Sequence, residues 1–258
     1  MQKTKPKAAP KPKPVPKQIQ IAKRTKNNVA KVLVLTSCTG EKALDIKRFG
    51  KADALKGRKH VQAITKQYMK EAVLAKDLYI GGQQINLMKS VSQASFVDLK
   101  IVSAGYGIID GNDKTVGYDS TFKIDNKKPD CCHSKSEQTQ LANALEIPSG
   151  FKKLLQDKSY DCGLILLGDD YLNACDPFTN WNPAFPTIFF GTKNSIKNLK
   201  LIPNVKWELA NQTHAKKYSA GVTSLKGKLG ALILEAELEK PGTIDKCLDP
   251  NISLYSVI

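Results

Sequence analysis

KIVSAGYGIIDGNDKTVGYDSTF, residues 100–122, joins an apolar run to a glycine-punctuated loop that holds Tyr106, Asp110, Asp113, Tyr118 and Asp119. Ile101 and Val102 read as the end of a buried strand. Around Tyr106, the small residues Ser103, Ala104, Gly105 and Gly107 let backbone N–H groups approach a ligand and tolerate positive φ. Open α/β sheets hold their ligands in loops at the carboxyl ends of strands. The segment therefore predicts a fold class and the position of a site together.

Outward from it, the apolar runs at residues 32–35, 99–102, 162–167, 187–190 and 205–209 read as strands. Residues 52–75 read as a mostly helical region broken near Gly57, and 85–93, 138–145, 149–157 and 225–238 as further helices. Continuous apolar strands alternating with helices imply a mostly parallel sheet covered on both faces, an α/β domain of three layers. Residues 29–258 suit one such domain, and no internal repeat is present.

In a parallel sheet, the loops after Leu35, Val102 and Leu167 meet at one edge. The first carries Ser37, Cys38, Thr39 and Lys42. Hydroxyls and a mobile cation suit a phosphate or a base edge, and an ordinary strand-to-helix turn capped by Thr39 is the alternative. The spacing of a P-loop is absent, and no cofactor or metal is expected. In the second loop, Asp110 or Asp119 can serve as a general base or stabilise a sugar cation, and Tyr106 or Tyr118 can stack on a base. Asp113 reads better as a turn residue. The third loop holds Asp169, Asp170 and Tyr171, carboxylates that can bind a metal, recognise an amino group or cap a helix. Cys38 is a candidate nucleophile if a helix begins beside it, but with no histidine close in sequence it reads better as a small buried residue. His214 can reach a phosphate but reads better as an ordinary surface residue, and Trp181, in a Pro-rich insertion, can wedge into a duplex or pack in the core.

Ser103-Ala104-Gly105-Tyr106-Gly107, then Asp110 and Tyr118-Asp119, resembles the S-[AG]-x-Y-G…D…Y signature of two bacterial groups. One is the peroxide-stress DNA-binding family, and the other a family found near nucleic-acid modification and phage-defence functions. Ser37-Cys38-Thr39-Gly40-Glu41-Lys42 and Asp77-Leu78-Tyr79-Ile80-Gly81 are similar to elements of the second group, as is Leu225-Lys226-Gly227-Lys228-Leu229-Gly230. Such domains are similar to the uracil-DNA glycosylase superfamily and to accessory domains of the tRNA and DNA guanine transglycosylases. The resemblance implies glycosidic-bond chemistry on a modified base in DNA, including foreign DNA. It places Asp110 and Asp119 as catalytic, with Ser37, Cys38, Thr39, Lys42, Tyr79, Ser103, Gly105, Tyr106, Tyr118, Asp169 and Tyr171 binding substrate. The G-Q-D-P-Y motif of ordinary uracil-DNA glycosylases has no counterpart, which removes uracil itself as the expected base. The competing expectations are a non-catalytic DNA-binding stress protein and an enzyme of free nucleotides or nucleosides, or a transglycosylase.

Composition agrees with a polyanionic partner. The chain carries a formal charge of +16, of which residues 1–28, with eight lysines, Arg24 and no acid, hold +9 and the remainder +7. This Lys/Pro/Ala-rich arm cannot bury enough apolar surface to offset chain entropy and is expected to be disordered when free. It can neutralise phosphates without choosing sequence, and DNA rather than RNA is the expected polymer. No run approaches the roughly 18 apolar residues of a membrane span, and no secretory leader is read, so a cytoplasmic protein is expected. The six cysteines form no Cys-x-x-Cys pair, which signals neither a zinc knuckle nor a disulfide framework.

Overall fold

The computed structural model describes residues 30–176, 181–199 and 202–258, so the basic arm at 1–28 and Asn180 lie outside the described residues. Six strands make the central sheet: β1 (Val32–Ser37), β2 (Val97–Ser103), β3 (Gly107–Asp110), β4 (Cys162–Leu166), β5 (Thr187–Gly191) and β6 (Val205–Leu209). Their order is β6-β5-β4-β1-β2-β3, parallel throughout except for β3, which returns antiparallel against β2. The chain thus builds outward from β1 on one side, then crosses back and builds outward on the other. The reversal lies between β1 and β4, where a doubly wound sheet opens a crevice at its carboxyl edge.

Helices connect and cover the strands: α1 (Arg58–Gln67), α2 (Gly82–Gln93), α3 (Lys135–Ala144), α4 (Ile147–Leu155), α5 (Asp169–Ala174), α6 (Lys193–Leu199), α7 (Gln212–Lys217), α8 (Leu225–Glu239) and α9 (Thr243–Leu248). Register assigns them to faces. Thr36 lies beside Leu166 in the ladder, so the two side chains share a face. There Gln83 of α2 donates to Thr36 Oγ1 at 2.9 Å, and a Cβ on Gly230 of α8 would sit 2.8 Å from Leu166. On the opposite face Leu35, Ile165 and Phe189 align. Phe189 stacks on Trp181 at 5.6 Å between ring centroids, and Trp181 meets Phe151 of α4 at 4.7 Å. Alternate residues of one strand face different helices, which is why every residue of β1 and β4 is buried. The mostly parallel three-layer α/β arrangement follows, with Trp181 packed in the core. No helix among the described residues is long and apolar enough to cross a membrane.

Several elements differ from the sequence reading. β3 replaces what reads as loop: Gly107 takes φ 80° and turns the chain into a hairpin on β2. The region 52–75 divides at Gly57, φ 101°, into a short helix (Lys51–Ala54) and α1. Directly after β1, between Ser37 and Lys51, no helix forms. Instead Lys42 bridges to Tyr79, and Phe49–Gly50 pairs in parallel with Tyr118–Asp119. His214 lies in α7, whose N-cap Asn211 accepts its backbone N–H, and its ring stacks on Tyr255 at 3.9 Å, closing the C-terminal segment onto the domain.

Candidate functional site

The carboxyl ends of β4, β1 and β2 lie side by side and bring three loops together, as the sequence order predicts. Ser103, the last residue of β2, is a hub. Its Oγ accepts the N–H groups of Gly105 (3.2 Å) and Tyr106 (3.1 Å), accepts the Tyr79 hydroxyl at 3.0 Å and lies 2.9 Å from the Tyr118 hydroxyl. The two tyrosine hydroxyls are themselves 3.2 Å apart. The glycine-rich turn therefore spends its N–H groups on Ser103 rather than on a ligand. Gly105 is required for a steric reason, because a Cβ there would lie 2.6 Å from the Tyr118 ring. Tyr118 is 0% exposed. Burial, then the neighbouring Cys38, pushes both hydroxyls well above their ordinary range.

Cys38 ties this hub to the β4 loop. Its Sγ lies 3.0 Å from the Tyr171 hydroxyl and 3.5 Å from the Ala104 nitrogen, and Tyr171 also donates to the Cys38 carbonyl at 3.1 Å. The thiol is 4% exposed and no helix begins beside it, so the ground for a nucleophilic role is gone. The Tyr171 ring meets Phe122 edge-on at 5.5 Å. Thr39 caps no helix either. It donates to Glu41 O at 2.8 Å and accepts Gly81 N at 3.2 Å, clamping the β1 loop to the start of α2. Ser37 is held from behind: Gln84 donates to its carbonyl at 2.6 Å, and Gln83 bridges Thr36 and Leu166 O across the crevice.

Lys42 covers the hub, its ammonium 4.3 Å from the centre of the Tyr118 ring. Burial pushes this amine below its ordinary value, and Cys38 and Asp119 oppose that push. Asp119 is exposed beside the buried Tyr118, and its side chain makes no hydrogen bond among the described residues. Across the crevice Gly168 caps α5, so Asp169 and Asp170 stand in its first turn, where a carboxylate meets the positive end of the helix. Asp169 Oδ2 accepts the Thr192 hydroxyl at 2.7 Å, while its Oδ1 is buried without a hydrogen-bond partner among the described residues. Burial, then Asp169, pushes Asp170 up. Lys226, in the first turn of α8, is buried and donates to Leu167 O. Burial drives its amine down to about 8, against the pull of Asp169.

The structure thus gathers Ser37, Cys38, Thr39, Lys42, Tyr79, Ser103, Gly105, Tyr106, Tyr118, Asp119, Asp169 and Tyr171 at the switch-point edge. It leaves out Asp110 and Asp113. Because β3 runs back along β2, Asp110 stands beside Lys100, three residues before Ser103, roughly 10 Å down the strand. Its carboxylate accepts Lys100 Nζ at 2.7 Å and Asn112 N at 2.8 Å, and Asp113 accepts the Asp110 nitrogen at 2.9 Å. Burial, the largest single influence, raises the Asp110 pKa, but the hydrogen bond and charge of Lys100 together with the Asn112 hydrogen bonds outweigh it and leave the group below its ordinary value. An ion-paired turn carboxylate is not poised to take a proton.

Gln83, Gln84, Thr192 and Lys226 are site residues that sequence reasoning missed. Gly81-Gly82 ahead of two glutamines was the available signal for α2, and a lysine within the apolar run of α8 was the signal for Lys226. No family model matches the chain, and no curated protein matches it.

Proposed function

We propose that the chain cleaves the N-glycosidic bond of a modified base in DNA at the switch-point crevice, on a domain like that of the uracil-DNA glycosylases. The observation that carries this reading is an exposed carboxylate, Asp119, one residue from Tyr118, whose ring the Lys42 ammonium covers at 4.3 Å, where the three loops meet. In this reading Lys42 and the basic arm hold phosphates. The Asp119 carboxylate faces the sugar as the bond from C1′ to the base nitrogen breaks, stabilising the oxocarbenium-like cation and orienting the water that adds to C1′. The departing base takes up the proton. Asp110 has no part, because Lys100 holds it.

The stacking role falls outside Tyr118, whose ring is buried under Lys42. The closure of that hydroxyl network favours a second reading, a DNA-binding protein whose tyrosines only shape the loops. One experiment separates the two. Purified protein is incubated with unmodified, uracil-containing and phage-derived hypermodified DNA, and released bases are identified by mass spectrometry. The glycosidic reading expects base release from a modified DNA and a fall of roughly 100-fold or more in Asp119→Asn, with DNA affinity retained. Binding of every DNA without base release or abasic sites passes the assignment to the binding protein.

A further inference from the structure

A second cavity, of about 430 Å³, opens between α1 and the turn that follows β3. That volume lies in the range of small-ligand sites. Arg58, Gln62 and Lys66 line it from one side. Their spacing of four residues stacks them on one helix face about 6 Å apart. Lys114 faces them from the other wall. The single acid of the lining, Asp113, turns one carboxylate oxygen to the Asp110 nitrogen at 2.9 Å. Arg58 uses one nitrogen on the Ile108 carbonyl at 3.3 Å, which fixes the guanidinium while leaving further donors. The rim therefore offers three cations to an anion.

Beneath the rim Val61 and Ile109 are packed away, and Met69 supplies the apolar surface that an occupant meets. Met69 is 46% exposed, an adaptable thioether that an occupant would cover. The floor is rigid: the Tyr106 hydroxyl accepts Val116 N at 2.8 Å and lies 3.3 Å from the Thr65 hydroxyl. An anionic rim ligand joined to a flat apolar body fits this combination, and neither an inorganic anion nor a neutral hydrocarbon does.

We propose that this cavity binds a nucleoside phosphate, with the phosphate held by Arg58, Lys66 and Lys114 and the base laid against Met69. The inference does not rest on the glycosidic reading, since neither Asp119 nor Lys42 lines the cavity. Tyr106 connects the two regions, its ring edge-on to Tyr118 at 5.5 Å.

The test is calorimetric titration of the full chain with nucleoside 5′-monophosphates, the matching nucleosides and inorganic phosphate. Saturable binding of the monophosphates, tighter than that of either component, is expected. It should weaken about tenfold or more in a Lys66→Glu, Lys114→Glu double variant and in Gln62→Trp, which fills the cavity from an exposed position. Unchanged thermal denaturation shows that these surface variants fold. A single-stranded trinucleotide run in parallel tells the source: tighter binding than the monophosphate marks a unit within a strand, and equal or weaker binding a free nucleotide, provided the variants reduce it. Equal affinity for inorganic phosphate, or binding indifferent to the variants, overturns the proposal.

Discussion

At the scale of single residues, the amine of Lys226 makes the sharpest claim. Its ordinary value of 10.5 falls to about 8 in the folded chain, chiefly through burial. Between those values the unfolded chain binds more protons than the folded one, so stability rises with pH across that window. The difference is on the order of 2–3 kcal/mol. Urea unfolding of wild type and Lys226→Met between pH 7 and pH 10.5 checks it: the wild type should gain on the variant as pH rises, and parallel curves would show no such burden. Little of this was legible beforehand. A lysine in an apolar run announces burial only once the opposing strand end is known to supply Leu167 O. Tyr118 teaches the converse. Its place in the site followed from its loop, but its burial depends on Gly105, whose missing Cβ admits the ring, and spacing alone does not reveal that contact. Asp110 read as a candidate base because a hairpin and a loop look alike when the strand is as short as Gly-Ile-Ile-Asp.

At the scale of elements, α2 and α8 are the pair on which the crevice depends. A Cβ on Gly227 would lie 2.1 Å from the Gln83 carbonyl, a backbone atom that cannot swing aside. Gly227→Ala should force the helices apart and drag Gln83 from Thr36 and Leu166 O. The expected cost is about 2–3 kcal/mol, or roughly 5–10 °C in Tm, measurable by calorimetry; an unchanged Tm would show that α8 can shift freely. The five parallel strands and the long helices were legible because buried strands read as unbroken apolar runs and helices as 3.6-residue periodicity. The short α6, α7 and α9 carry too few turns for periodicity to speak, and their ends are set by local caps such as Asn211. Lys206 lies in β6 and is buried. Its ammonium donates to the carbonyls of Cys247 (2.7 Å), Asp249 (2.9 Å) and Ile252 (2.7 Å), fastening the segment after α9 to the sheet edge.

At the scale of the whole molecule, charge is divided between the arm and the domain, +9 against +7. If the arm supplies phosphate contacts, deleting residues 1–28 should weaken DNA binding and flatten the dependence of log K on log salt, since each lost contact removes about 0.9 from the slope on duplex DNA. Fluorescence anisotropy at several salt concentrations checks this, and an unaltered slope would assign the contacts to the domain. Sheet order has a further consequence, in time rather than in space. Among the described residues β1 is synthesised before the other five strands and lies inside the sheet between β4 and β2, and its ladder with β4 joins Val32 to Cys162. At ribosomal rates the partner strand emerges on the order of 10 s later. During that interval Val32-Leu33-Val34-Leu35 has one paired edge at most. The nascent chain thus depends on the β1–β2 ladder, or on a chaperone, to keep its most apolar strand from finding another chain before its own.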